Sequence, residues 1–195
     1  MTHGNGRTAN CASLVCQFGD EVARLHPPPY RRRPSDDWEN SSVPASAALI
    51  STCTALIAAN VALGGAIYEA LIVDRAWPAT PTIIQPAEGG LNRRIFWFPV
   101  HLVFELPLAV AIWACWGLRP ERMYLLVAAC FHFVLRAWSF AYFIPRAVEF
   151  EKHGVAPDRI AGAQMWVRLS RWRILLECGT LAGTAAAAFS LITGS

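Results

Sequence analysis

The chain has 195 residues, 54% of them hydrophobic and only 16% charged, with a formal net charge of +3. A soluble domain carries about 25% charged residues. Here the charges fall in gaps between long uncharged runs, which excludes an ordinary soluble core and points to an all-α, multi-pass integral membrane protein.

Lys152 is the only lysine, and the one tight basic cluster, Arg31, Arg32 and Arg33, is followed at once by Asp36, Asp37 and Glu39. No nucleic-acid partner is expected; membrane lipid suits those arginines better. Residues 1–44 are polar and Pro-rich with no apolar leader segment, so they read as a mostly disordered tail in which 15–25 is one candidate short helix. Cys11 and Cys16 lie in that tail without metal-type spacing, whereas Cys53, Cys115, Cys130 and Cys178 sit in apolar runs. Neither a disulfide framework nor a zinc site follows.

Residues 45–195 read as an antiparallel bundle of four membrane-crossing helices, with spans at about 45–73, 95–116, 122–144 and 170–193. In the first span Ala58, Ala62, Gly65 and Glu69 step along one face, where small residues let another helix approach closely. Asp74 and Arg75 close that span. The connection 74–96 carries Pro78, Pro81, Pro86, Gly89 and Gly90 and is long enough to act as a lid or to line the interface. Trp77, Phe96, Trp97 and Phe98 fit an interfacial aromatic belt.

The second span holds His101 and Glu105 four residues apart, hence on one helical face. Pro107 predicts a kink just beyond them, and Trp113 and Trp116 mark the far interface. The third span repeats the spacing with His132 and Arg136 and is expected to stop before Pro145. Asp158 is a candidate N-cap for a helix leading into the fourth span. That span contains Glu177 and, on another face, Gly179 and Gly183, whose spacing suits close packing within the chain.

Antiparallel crossing brings these ionisable residues into one half of the membrane. At 1.5 Å per residue, Glu69 falls roughly 6–8 Å below the side of the 74–96 loop, His101 roughly 6 Å, Glu177 roughly 10 Å, Glu105 and Arg136 roughly 12 Å and His132 roughly 18 Å. Each unpaired charge at a helix centre costs about 2.5–3.5 kcal/mol on insertion scales, so pairing is expected: Arg136 with Glu105 or Glu69, and one remaining acid protonated or bonded to a histidine. A polar network that only fixes helix order is one explanation; a functional pocket opening toward the 74–96 and 145–169 loops is the other. Basic residues outside the spans are slightly more numerous on that side, which turns the pocket mouth toward the cytoplasm.

His101, Glu105, His132, Glu69 and Glu177 have the donor types that bind iron or zinc between helices. A di-iron bundle, however, needs Glu-x-x-His on two helices, and neither Glu69 nor Glu177 has a histidine three residues on. No resident cofactor is therefore expected, with a metal as the lesser alternative.

Gly65-Ala66-Ile67-Tyr68-Glu69, Trp77-Pro78, Phe96-Trp97 with Pro99, Tyr142-Phe143-Ile144-Pro145 and the stretch from Trp166 to Arg173 together resemble the anthrone-oxygenase-like family of small four-span membrane proteins. The resemblance covers roughly residues 49–192. It implies a lipophilic aromatic substrate and oxygen insertion into an anthrone without metal or flavin, and it carries over no catalytic residue.

Residue chemistry is compatible with that. A base, a cation for the developing oxyanion and an aromatic cleft are required. The candidate catalytic residues are His101, Glu105, Arg136, His132, Glu69 and Glu177: His101 or Glu105 as base, Arg136 for the oxyanion. Trp97, Trp138, Tyr142, Phe143 and Tyr68 are the candidate substrate-binding residues. A membrane protein that binds or moves a small molecule, or assists a partner, without catalysis stands as the alternative.

Overall fold

The computed structural model describes residues 45–156 and 159–194; the tail and Asp158 lie outside the described residues. All regular structure among them is helical: α1 (Ala45–Tyr68), a π-helical turn (Glu69–Val73), α2 (Asp74–Ala76), α3 (Arg94–Ala114), α4 (Arg119–Trp138), a second π-helical turn (Ser139–Phe143), α5 (Ile144–His153) and α6 (Ile160–Thr193). Four continuous helical stretches, Ala45–Ala76, Arg94–Ala114, Arg119–His153 and Ile160–Thr193, are long and apolar enough to cross a membrane.

Small residues set the packing. α1 lies against α3 and α6, and α6 against α4, while α3 and α4 meet only sparsely. A core of Ala48, Ala55, Ala58, Ala59, Phe104, Leu108, Ala111, Leu125 and Ala187 joins these helices. A Cβ on Gly183 would lie 2.9 Å from the Tyr124 carbonyl oxygen, and one on Gly179 would press into Phe131. The glycine pair of α6 is thus a seat for α4. Gly65 likewise leaves room for the Phe96 ring. Hydroxyl and amide groups inside the apolar helices bond back to their own turn, as in Thr54 to the Ile50 carbonyl (2.8 Å), Asn60 to Leu56 (2.9 Å) and Thr184 to Thr180 (2.8 Å). Polar side chains are satisfied this way without a partner helix.

The structure departs from the sequence-based outline in three places. Helix does not stop before Pro145: the π turn Ser139–Phe143 precedes the proline, the amide of Ile144 reaches the Ser139 carbonyl, and α5 continues to His153. A proline placed in the first turn of a restarted helix needs no amide donor there.

The connection after the first helix is not an open lid. It folds into two short 3-10 turns, Pro81–Ile84 and Pro86–Glu88, with Ile84 fully buried. Arg93 and Arg94 anchor its end to Glu151 at 3.3 and 2.9 Å.

Trp77 is a core residue with no exposed surface rather than part of an interfacial belt. It packs on Phe150 and Trp166 at 5.2 and 5.7 Å between ring centroids. Its indole N–H donates to Asp74 at 3.2 Å, which makes burial of the polar end tolerable. Trp113 and Trp116, by contrast, are exposed.

Candidate functional site

The i, i+4 pairs of α3 and α4 meet across their sparse seam. Glu105 Oε1 lies 3.1 Å from His132 Nε2 and 3.0 Å from Arg136 Nε. One oxygen therefore receives both donors, and Arg136 takes the first of the two partners the sequence offered it. The Arg136 guanidinium also covers the Phe140 ring at 4.6 Å. The His132 ring is boxed by Phe104 at 4.6 Å and His101 at 5.5 Å. His101 and His132 are almost fully buried, at 5% and 7% exposure, whereas the Glu105 side chain is 41% exposed. The cluster thus has a buried imidazole floor and a carboxylate at the surface of the helical body.

A second cluster lies beside the first, between α1, α3 and α6. Trp97 donates its indole N–H to Glu69 Oε1 at 2.8 Å. Asp74 accepts from Trp77 and, at 2.8 Å, from Ser170. Glu69, Asp74, Trp97, Ser170, Arg173 and Glu177 all line one cavity of about 20 Å³, the size of a single water site. Glu177 Oε1 and Arg173 Nε are buried there with no hydrogen-bond partner among the described residues. Asp74 also borders an open groove of about 590 Å³ rimmed by Arg75, Arg168 and Arg171.

The π turn at Glu69 builds this second cluster. In an unbroken α-helix, residues five apart sit about 140° apart around the axis. Here the Asp74 amide bonds to the Glu69 carbonyl, and that i→i+5 bond turns Asp74 back toward the side of Glu69. Asp74 ends 3% exposed instead of closing the helix at a surface.

The expectation of one shared hollow with aromatic walls is corrected. The ionisable residues form two adjoining clusters, linked where Trp97 stacks on His101 with 5.5 Å between centroids. Of the expected wall residues, Trp97 stacks on His101 and Phe143 lies under Arg173. Phe143 is buried against Trp138, Tyr142 and Trp166 at 5.0–5.5 Å, in the apolar cluster that holds Trp77. Tyr142 carries Arg146 over its ring, and Tyr68 points outward at 56% exposure. Tyr142 and Phe143 lie within the π turn Ser139–Phe143, whose wider winding no 3.6-residue periodicity carries.

Two charged residues join the site unannounced, Asp74 and Arg173, and with them Ser170. Both stand near helix ends in the sequence, where charge is ordinary. Arg173 lies over the Phe143 ring at 4.9 Å, and the one available signal was its spacing of four from Glu177.

His101, Glu105 and His132 each offer one ligand atom within 4.8 Å of the others. Neither a protein-family model, a curated protein nor a solved structure matches the chain.

Proposed function

We propose that the protein is a multi-pass membrane enzyme, its four long helices crossing the bilayer as an antiparallel bundle, that oxygenates a lipophilic aromatic substrate at Glu105. Ile57, Ile95, Phe98, Phe133 and Phe189 are all more than 60% exposed, and hydrocarbon would cover them. The observation that carries the reading is Glu105: a part-exposed carboxylate held by His132 and Arg136 on helical segments that also expose Leu102, Leu106, Phe133 and Phe140. A charged group so placed is expensive, and by default it marks a site.

An anthrone-type substrate fits this chemistry from the bilayer side. The small cavity is far below the size of three fused rings, so the substrate lies against the α3–α4 seam rather than inside the bundle. Glu105 takes the acidic benzylic proton, and Arg136 and His132 hold the negative charge that develops nearby. The carbanion adds O2; the resulting hydroperoxide loses water and leaves a ketone, so one oxygen atom ends in product and the other in water.

The test is substrate-dependent oxygen uptake by protein reconstituted in vesicles with an anthrone. Quinone formation above the spontaneous rate supports the enzyme. Saturable substrate binding without uptake supports the second reading, a small-molecule binding protein, for which the basic groove beside Asp74 is the specific observation.

A further inference from the structure

We infer that His101, Glu105 and His132 form a binding site for one divalent first-row transition ion, of the Zn2+ or Fe2+ class. Two imidazoles and one carboxylate are the donor set that such ions share, with open positions left for other ligands. Magnesium and calcium prefer all-oxygen sets.

The geometry is close to what a metal needs. Donors at about 2.0–2.2 Å from a common ion lie at most about 4.4 Å apart. One ligand atom from each of the three residues lies within 4.8 Å of the others. A small shift of the side chains would bring all three donors onto one ion.

A second observation is independent of that spacing. Both imidazoles are more than nine-tenths buried, and each leaves Nδ1 with no hydrogen-bond partner among the described residues. Buried polar atoms are seldom left so. An incoming cation also finds its ligands held in place: Trp97 stacks on His101, Phe104 packs on His132, and Arg136 bonds the carboxylate through Oε1, which leaves Oε2 uncommitted. Ligating carboxylates are themselves usually hydrogen-bonded in this manner.

The metal site shares Glu105 and His132 with the proposed oxygenation, yet the two readings fail separately. Metal bound without turnover would leave the metal site standing and remove the enzyme reading; turnover by a protein that binds no metal would do the reverse.

The experiment uses the full chain in detergent, stripped with chelator and titrated with Co2+ as the probe, read by its visible d–d absorption and checked by competition with Zn2+. One equivalent should bind to wild type and to the exposed-histidine control His153→Ala. Affinity should fall at least about 100-fold in His101→Ala and in the near-isosteric Glu105→Gln, and about 10–100-fold in Arg136→Gln, which touches only the ligand. Circular dichroism of each variant separates loss of the site from loss of the fold. Absence of a saturable equivalent in the wild type overturns the inference. So does binding that survives both His101→Ala and Glu105→Gln, which would assign the metal to other groups of the chain.

Discussion

The Trp97 indole lies over the His101 imidazole, 5.5 Å between centroids and 23° between planes, while its N–H reaches Glu69 at 2.8 Å. One side chain therefore ties the two polar clusters together, and the two contacts can be separated. Trp97→Phe keeps an aromatic face for His101 and removes the donor to Glu69. A hydrogen bond to a charged group contributes about 1.5–3 kcal/mol, so the melting temperature in detergent should drop by about 3–12 °C. An unchanged melting curve would mean that Glu69 does not use this bond.

Gly183 and Gly64 make opposite predictions from the same substitution. A Cβ at Gly183 meets the Tyr124 carbonyl oxygen at 2.9 Å and Ala128 at 3.0 Å, whereas one at Gly64 meets nothing within 4 Å. Gly183→Ala should destabilise by about 1–3 kcal/mol through overpacking against α4. Gly64→Ala should be neutral or stabilising by up to about 1 kcal/mol, since alanine favours the helix. Thermal denaturation of the two variants compares them directly; equal effects would contradict the α4–α6 contact.

Cys115 sits just past the end of α3. It has no exposed surface. A structural buried thiol is inert, so maleimide at pH 8 should leave Cys115 unmodified in the folded protein and label it after unfolding. Site-resolved mass spectrometry reads the labelling; equal modification in both states would place Cys115 at the surface.

The long apolar helices were legible because hydropathy and length are local properties, and the i, i+4 spacing by itself put His101 with Glu105 and His132 with Arg136. Two π turns escaped, and with them Asp74 and the true position of Tyr142 and Phe143, because a single inserted residue leaves the hydrophobic pattern almost unchanged while rotating everything beyond it. Trp77 looked interfacial for a related reason. A tryptophan next to a charged pair near a helix end reads the same whether it meets headgroups or, as here, folds its N–H onto Asp74 inside an aromatic core. The sparse contact between α3 and α4, which leaves Glu105 reachable, has no signature in sequence at all.

The pairing at Glu105 also predicts which substitutions matter for turnover. Removing the base, or the imidazole that positions it, should lower activity by about 10²–10⁴-fold, with folding preserved in Glu105→Gln because its volume is kept.

The most direct measurement is the rate of oxygen-dependent anthrone conversion by Glu105→Gln set against wild type and the exposed variant His153→Ala, in the same vesicles at matched protein. The account predicts a loss of at least about 100-fold in Glu105→Gln alone. Wild-type turnover that Glu105→Gln retains in full would contradict it.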